Sequence, residues 1–296
     1  MRWGIVAAGI AVLLAAAGCT SAPDTSAAGE LDEVAVVTMD DGLHDRLPAD
    51  VRTRGFIRLV TDASYAPMEY FAADGRTIIG FDPDLAAALG QVLGIRLEMV
   101  VGTFSTALEE VDAGTYDGVL SSMTDTPARR DRADFVNYFS TGTSMLVQRG
   151  NPGRITGLSD LCGTTVAAER GTVQEDLLLG LRPGCGTRGL QVISLNTNVD
   201  ALVELRTGRV TAVLQDYPAA SFVTTDPTTG AYFELAGTEQ YEPGLFGIAV
   251  DKENTVLRDC LREALQRLID SGVYADLLAR WELSASAVPR ATVNGT

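Results

Sequence analysis

The sequence has few of the residues that commonly hold metal ions. It contains one histidine, His44, and four cysteines, and neither a Cys-x-x-Cys nor a His-x-x-x-His spacing occurs. Protein zinc sites usually combine several such ligands at short, regular spacings. We therefore expect no metal site and no cofactor.

Positive charge is also scarce. The chain carries 39 acidic and 23 basic residues, which gives a formal net charge of -16 at pH 7. A field of that sign repels nucleic acids and anionic lipid headgroups, whereas it favours the approach of a cationic solute. We therefore expect no nucleic-acid partner.

Only one long uninterrupted apolar stretch is present, and it lies at the amino terminus. It follows Arg2, continues to Ala17 and closes on Ala16-Ala17-Gly18-Cys19. The stretch is too short to span a bilayer stably and is typical of a secretion signal. Its end resembles a bacterial lipobox cleaved before Cys19, although Ala16 stands where a large aliphatic residue is usual. Ordinary secretion with cleavage after a small residue is the alternative.

These features predict a lipoprotein signal peptide over residues 1–18, then a lipidated Cys19 and a tether over residues 19–55. The tether begins with TSAPDTSAAGELDE, a composition typical of flexible linkers. Lipid on Cys19 would hold the protein on the extracytoplasmic face of the cell membrane. No later segment of the sequence is long and apolar enough to cross a bilayer.

Strand-like and helical patterns alternate beyond the tether. This alternation predicts an α/β fold with mainly parallel sheets and helices on both faces. We expect one lobe from residues 56–140 and 245–283, a second lobe from residues 144–241, and a frayed tail over residues 284–296. The crossovers near residues 140–143 and 244–247 are rich in small residues, and we predict hinges there.

The segment at residues 56–93 has the pattern of a strand, a loop and a helix. The strand would deliver Asp62 and Tyr65 at its carboxyl end, where ligands bind in open α/β sheets. In the motif GFDPDL, Asp82 is predicted to cap the helix and Pro83 to be its first residue. Each of these signals is common, so the segment indicates function only together with the rest of the chain.

Several segments follow one another in the order and spacing of a known protein family. They are TDASYAPMEY, GFDPDLAAAL, FSTALEEVDAGTYDGVLSSMTDTPARR, VAAERGTVQE, VTAVLQDYPAA and DSGVYADLLARW. Over residues 56–283 the chain resembles family 3 of the bacterial extracellular solute-binding proteins, the receptors of polar amino-acid ABC importers. The resemblance implies a type II periplasmic-binding-protein fold, with two mainly parallel sheets flanked by helices and two crossover hinges. Pro83 departs from the family pattern, which usually has an aliphatic residue there.

The resemblance also implies how an amino-acid zwitterion would be held. Arg129 matches the carboxylate-binding arginine of the family, since a guanidinium is a planar bidentate donor. Asp216 matches the ammonium-binding aspartate, with Ser122 as a further acceptor. The remaining predicted contacts are the aromatic walls Tyr65 and Phe104 and the polar or backbone groups of Ser121, Thr124, Thr172, Val173 and Gln174.

Two acidic residues match positions near the side chain of the ligand. Carboxylates at Asp62 and Glu169 would suit the cation of arginine, lysine or ornithine. We therefore prefer a cationic amino acid, with glutamine or another polar amino acid as the alternative. Glu69 is either a third acid of the site or a residue of its rim.

Two other classes of protein are alternatives to a receptor. Secreted dehydratases of prephenate and arogenate share the implied fold, and Glu169 is the only candidate acid or base for such chemistry. The set of Arg129, Asp216 and Ser122 favours holding a ligand, so we expect no enzyme. A sensory ectodomain would continue into a membrane span and a signalling domain, which we do not expect. The expected partners of this monomer are an amino acid, importer permease subunits and, through the anchor, the membrane.

Three cysteines remain if Cys19 carries lipid. An odd number in an oxidising compartment leaves one cysteine unpaired. Cys162 and Cys185 lie near each other in sequence and in the same predicted lobe, so we predict a disulfide between them. Cys260 lies on the apolar stripe of a predicted helix and is expected to be a buried free thiol.

Overall fold

The computed structural model describes residues 37–296, which contain ten α-helices and thirteen β-strands. The helices are α1 (Asp41–Arg46), α2 (Ala49–Arg54), α3 (Phe81–Leu93), α4 (Ala107–Asp112), α5 (Pro127–Arg130), α6 (Val173–Leu181), α7 (Asn198–Arg206), α8 (Tyr217–Thr225), α9 (Thr255–Asp270) and α10 (Val273–Arg280). The strands are β1 (Phe56–Thr61), β2 (Ser64–Tyr65), β3 (Glu69–Phe71), β4 (Ile78–Ile79), β5 (Arg96–Val101), β6 (Gly118–Val119), β7 (Ala133–Gln148), β8 (Thr165–Glu169), β9 (Gln191–Leu195), β10 (Ala212–Asp216), β11 (Phe233–Leu235), β12 (Tyr241–Asp251) and β13 (Thr292–Val293).

One ten-stranded sheet runs through both lobes in the order β5-β1-β6-β12-β7-β10-β8-β9, and β11 and β13 also pair with β7. The neighbours β5, β1 and β6 of lobe 1 are parallel, as are β10, β8 and β9 of lobe 2. The long strands β7 and β12 are antiparallel to each other and pass between the lobes. This arrangement confirms the predicted two-lobed α/β fold with two crossovers. The two sheets that the sequence predicted are parts of one mixed sheet, because β7 and β12 pair with strands of both lobes and with each other.

The pairing of β7 with β12 is irregular where the chain passes between the lobes. The register shifts between Tyr241 and Gly244 and again between Phe246 and Gly247. Each shift interrupts the regular ladder of backbone hydrogen bonds, and such interruptions bend a strand locally. The irregular part of β12 coincides with the stretch in which we predict a hinge.

The core of lobe 1 explains why the sequence forms α3 and α9. On α3 the predicted apolar stripe, which includes Leu85 and Leu89, is buried, and on α9 Leu261 and Leu265 are buried in the same cluster. Apolar residues that recur every three or four positions place one helix face against the sheet, and burial of that face stabilises the helix. No helix within the described part of the chain is long and apolar enough to cross a membrane.

The cysteines of the described residues follow the prediction. Cys162 and Cys185 form a disulfide in lobe 2, which confirms the predicted pair. Cys260 is a buried free thiol on α9. The predicted signal peptide and Cys19 lie outside the described residues.

The folded part begins earlier and ends later than the expected boundaries. Residues 40–55, assigned to the tether from the sequence, form α1 and α2, and Leu43, Leu47 and Val51 are buried in the core of lobe 1. Helices of six residues are too short to show a clear apolar period, and tertiary packing stabilises them. The expected frayed tail is also packed, because Val288 is buried and β13 pairs with β7.

The burial of α1 and of Leu47, which follows it, leads to a testable prediction. Replacing Leu47, which is 2% exposed, by alanine should lower the free energy of unfolding by about 2 to 5 kcal/mol, because it leaves a cavity in the core of lobe 1. Val256→Ala is the matched control, since Val256 is 47% exposed and should cost less than about 0.5 kcal/mol. Urea denaturation measures both. Equal stability of Leu47→Ala and wild type would show that residues 40–47 are not part of the fold.

Candidate ligand-binding site

A small, nearly closed cavity of about 20 Å³ lies between the lobes. It is bordered by the carboxyl ends of several strands, the usual place for ligands in open α/β sheets. The structure brings all twelve sequence-predicted ligand contacts to its wall, together with Glu69: Asp62, Tyr65, Glu69, Phe104, Ser121, Ser122, Thr124, Arg129, Glu169, Thr172, Val173, Gln174 and Asp216.

Asp216, at the end of β10, joins the lobes through Tyr65. The Tyr65 hydroxyl donates to Asp216 Oδ2 at 2.7 Å and accepts from the backbone N–H of Asp216 at 2.8 Å. Gln174 Nε2 donates to the other carboxylate oxygen at 2.9 Å. Burial raises the pKa of Asp216 to about 7, although these donors oppose the shift. Any cation that reached this carboxyl would favour its charged form.

Arg129 is held by two backbone carbonyls, one from each lobe. Its Nη1 donates to Thr124 O at 2.6 Å and its Nη2 to Gly171 O at 2.8 Å. Its guanidinium carbon lies 5.5 Å from the centre of the Phe104 ring. Thr126 caps the short helix α5 on which Arg129 lies. Burial lowers the pKa of Arg129 to about 10, so the guanidinium stays charged at neutral pH.

The lobes approach each other closely at Gly171. This residue precedes the helix α6 and has a φ of +77°, a conformation that other residues adopt rarely. A Cβ atom at Gly171 would lie 2.9 Å from the Cβ of Ser105 in lobe 1. Only glycine permits this contact, which keeps the Gly171 carbonyl within reach of Arg129.

Asp62 and Glu169 face each other from opposite lobes. Asp62 follows β1, Glu169 ends β8, and both side chains are buried. Burial raises the pKa of both carboxyls, and the nearby Asp62 raises that of Glu169 further. Among the described residues neither carboxyl forms a salt bridge, and Glu169 Oε1 has no hydrogen-bond partner. The pair would accept a proton or an external cation.

Glu69 in the cavity wall forms a second pair of acids with Asp82, which does not line the cavity. Ser121 and Ser122 donate their hydroxyls to the two oxygens of Glu69 at 2.9 and 3.1 Å. Tyr138 donates to Asp82 Oδ2 at 2.9 Å. Burial raises the pKa of Asp82 to about 7 and that of Glu69 well above its usual range. The negative charge of Asp82 raises the pKa of Glu69 further, and Asp82 Oδ1 has no hydrogen-bond partner among the described residues.

This pair corrects the role expected for Asp82. Helix α3 begins at Phe81 after Gly80, so Asp82 is its second residue and not its cap, and Pro83 is its third. Gly80 has a φ of +136°, and a Cβ there would lie 2.2 Å from Met68 O. This close approach starts the helix two residues before Pro83. The Asp82 side chain then points into the core and accepts from the backbone N–H of Ser122 at 3.0 Å.

Ser122 has an unusual backbone that the acid pair supports. Its φ of +49° is uncommon for a residue other than glycine and is associated with functional sites. The bonds to Asp82 and Glu69 hold this conformation and fix the end of the loop after β6. Sequence reasoning identified Ser122 but gave no signal for the strain or for the contribution of Asp82.

Residues 57–284 match the bacterial extracellular solute-binding proteins, family 3, and the chain belongs to this family. The chain is 29% identical to the arginine-binding protein ArgT of Corynebacterium glutamicum over 84% of this chain and 81% of that protein. It is 31% identical to the arginine-binding extracellular protein ArtP of Bacillus subtilis over 75% of this chain and 84% of that protein.

Solved structures show the same fold. Holo ArgBP from T. maritima matches with a TM-score of 0.69 and 27% identity, covering 79% of this chain and 99% of that one. The ancestral amino acid-binding protein AncCDT-1, a precursor of cyclohexadienyl dehydratase, matches with a TM-score of 0.70 and 28% identity, covering 78% and 97%. Their type II periplasmic-binding-protein fold is therefore also the fold of this protein.

The buried acids predict the pH dependence of stability. A folded-state pKa raised to about 7, as at Asp82, means that the folded protein binds more protons than the unfolded chain above about pH 4. Without ligand, the free energy of unfolding should therefore fall between pH 5 and pH 8. Urea denaturation across this range measures the slope.

Asp82→Asn should reduce this slope, whereas Asp45→Asn, at an exposed position, should leave it unchanged. A wild-type stability that rises between pH 5 and pH 8 would contradict the assignment of raised pKa values to these carboxyls.

Proposed function

We propose that the protein captures a cationic amino acid, with arginine, lysine or ornithine as candidates, and delivers it to an ABC importer. The observation that carries this proposal is the charge of the cavity wall. The wall has one arginine, Arg129, and four carboxyl groups, those of Asp62, Glu69, Glu169 and Asp216. A ligand with one carboxylate and two cationic groups complements that set.

Each group of such a ligand has a partner in the proposal. The α-carboxylate binds the Arg129 guanidinium, which is charged and planar and suits bidentate contact. The α-ammonium binds Asp216, whose two oxygens are already aligned by Tyr65 and Gln174. The distal cation binds between Asp62 and Glu169. Glu69 keeps its proton and supports Ser121 and Ser122 as acceptors.

The aromatic side chains and the start of α6 complete the proposed site. Tyr65 and Phe104 flank the aliphatic part of the ligand, and their faces attract cations. Thr172 caps α6 by accepting from Glu175 N at 3.2 Å, so the first N–H groups of the helix, near Val173, are available for a carboxylate. Thr124, in the opposite lobe, is proposed to donate its backbone N–H to the same carboxylate.

Ligand capture is proposed to proceed by closure of the lobes. The groups assigned to the ligand belong to both lobes, so the ligand binds the closed state more tightly and shifts the population toward it. The irregular pairing between β7 and β12 supports a hinge near residues 140–143 and 244–247. The closed form is the state that a permease would recognise.

The location of the receptor is part of the proposal. The family is extracellular, and the pattern at Ala16-Ala17-Gly18-Cys19 supports a lipid anchor at Cys19, although these residues lie outside the described part. The proposed partners are permease subunits of an importer and, through the anchor, the membrane surface. We propose that the receptor acts as a monomer.

Two alternatives remain testable. The site accommodates glutamine if Glu169 is protonated and donates to its amide. A dehydratase is the other alternative, because the chain shares its fold with AncCDT-1, which is named a precursor of cyclohexadienyl dehydratase. Recovery of the bound molecule unchanged after incubation identifies a receptor, whereas conversion of prephenate or arogenate identifies an enzyme.

The zwitterion contacts can be tested by removing them singly. Arg129→Ala or Asp216→Ala should leave a buried charge of the ligand unpaired, at a cost of about 3 to 5 kcal/mol, and lower its affinity at least a hundredfold. Arg76→Ala removes an exposed arginine and should leave affinity unchanged. Calorimetric titration with L-arginine measures all three. Affinity within threefold of wild type in either cavity variant would refute that assignment.

Selectivity can be tested with a thermal-shift panel of the twenty amino acids and ornithine. A ligand at 100 times its dissociation constant stabilises the folded state by about 2.7 kcal/mol, so the best ligand gives a clear shift. Wild type should respond most strongly to a cationic amino acid. Glu169→Gln should weaken arginine binding much more than glutamine binding, whereas the exposed-site control Glu253→Gln should preserve the order. Tighter wild-type binding of glutamine than of every cationic amino acid would exclude the cationic ligand and leave amino-acid capture standing.

A further inference from the structure

The last ten residues, 287–296, form a strap along lobe 1 that lies beyond the family match at residues 57–284. In lobe 1, one edge of β7 pairs with β12, and the strap covers the other edge. Its strand β13 pairs with β7 at Asn137 and Val136. Asn294 forms two hydrogen bonds with the same strand: its N–H donates to Phe135 O and its Oδ1 accepts from Phe135 N, each at 2.9 Å. The strap is therefore an integral part of lobe 1.

The strap fixes the orientation of one buried amide. Asn137 is fully buried, and its Oδ1 accepts from Thr292 Oγ1 at 3.0 Å and from the backbone N–H of Gly295 at 2.7 Å. Because both donors occupy the oxygen, the amide must point its NH2 group the other way. That group donates to Asp125 Oδ2 at 2.8 Å.

Asp125 in turn holds the segment that carries Arg129. The Asp125 carboxylate accepts from Arg130 Nη2 at 3.0 Å, and the Asp125 N–H donates to Leu245 O at 2.8 Å. One residue earlier, the Thr124 carbonyl accepts from Arg129 Nη1. The hydrogen bond from Asn137 to Asp125, one of the contacts that hold residues 124–130 on the sheet, therefore depends on the direction in which the Asn137 amide points.

The strap also touches this segment directly. Gly295 lies against the guanidinium of Arg130, and a Cβ on Gly295 would be 3.1 Å from Arg130 Nη2. Two routes therefore lead from the strap to α5, one through Asn137 and Asp125 and one through Arg130.

We propose that the strap and Asn137 position Arg129 for the ligand carboxylate. This inference rests on the proposed role of Arg129 and makes Asn137 and Thr292 positioning residues, because they act only through the segment 124–130. Loss of the strap frees the Asn137 amide to rotate and present its oxygen to Asp125, a contact between two acceptors. The Arg129 segment then loses its fixed placement.

The test compares binding of L-arginine by calorimetry in two backgrounds, wild type and Arg129→Ala. Deletion of residues 292–296 should weaken binding about fivefold or more in wild type and less than about twofold in Arg129→Ala, because two changes that act through one group are not additive. Thr292→Val keeps the shape of the side chain, removes one donor to Asn137 and should show the same pattern with a smaller loss. Arg290→Ala is the matched control and should bind as wild type does, because Arg290 is an exposed strap residue that precedes the contacts of residues 292–295 with β7.

The outcomes separate this inference from the proposed function. If wild type binds L-arginine and neither strap variant weakens binding, the strap does not position Arg129. Equal losses in both backgrounds would show a general structural role and would also overturn the inference. If the deletion fails to fold, Thr292→Val decides the question alone. Failure of wild type to bind any amino acid would refute the proposed function, and this inference would fall with it.

Discussion

Withdrawal of carboxyl groups from water is the constraint on which the site depends. Asp62, Glu69, Asp82, Glu169 and Asp216 are all buried around one cavity or directly beneath it. A buried carboxyl group requires a donor, a proton or a cation, because its charged form loses hydration. The protein supplies hydrogen-bond donors to Glu69, Asp82 and Asp216. In the proposed function, the cationic groups of the ligand stabilise the charged forms of Asp62, Glu169 and Asp216.

The same groups join the lobes and line the cavity. Tyr65 reaches Asp216 across the cleft, and Arg129 reaches the Gly171 carbonyl. In the proposed function, a ligand adds charged contacts to these hydrogen bonds between the lobes. In the proposal, lobe closure and ligand recognition are therefore one event. The same side chains contribute the free energy of both.

The sequence predicted which residues line the cavity better than it predicted the limits of the fold. The predicted ligand contacts lie at strand ends and helix starts, where local patterns are strong, as at Glu169 and at the α6 cap Thr172. The role of Asp82 was mispredicted, because a tertiary contact between Gly80 and Met68 O sets the start of α3. Helices α1 and α2 and the strap were missed for a similar reason. They are short, and packing against distant residues stabilises them rather than any local period.

The two long strands between the lobes have a mechanical consequence. A pair of hydrogen-bonded strands bends easily across its face, yet it resists sliding and in-plane rotation because these break the ladder between β7 and β12. Such a connection bends readily in one direction and is stiff in the others. In the proposed closure, one lobe therefore moves against the other nearly in a plane, and the open and closed forms each present a reproducible outer surface to a permease.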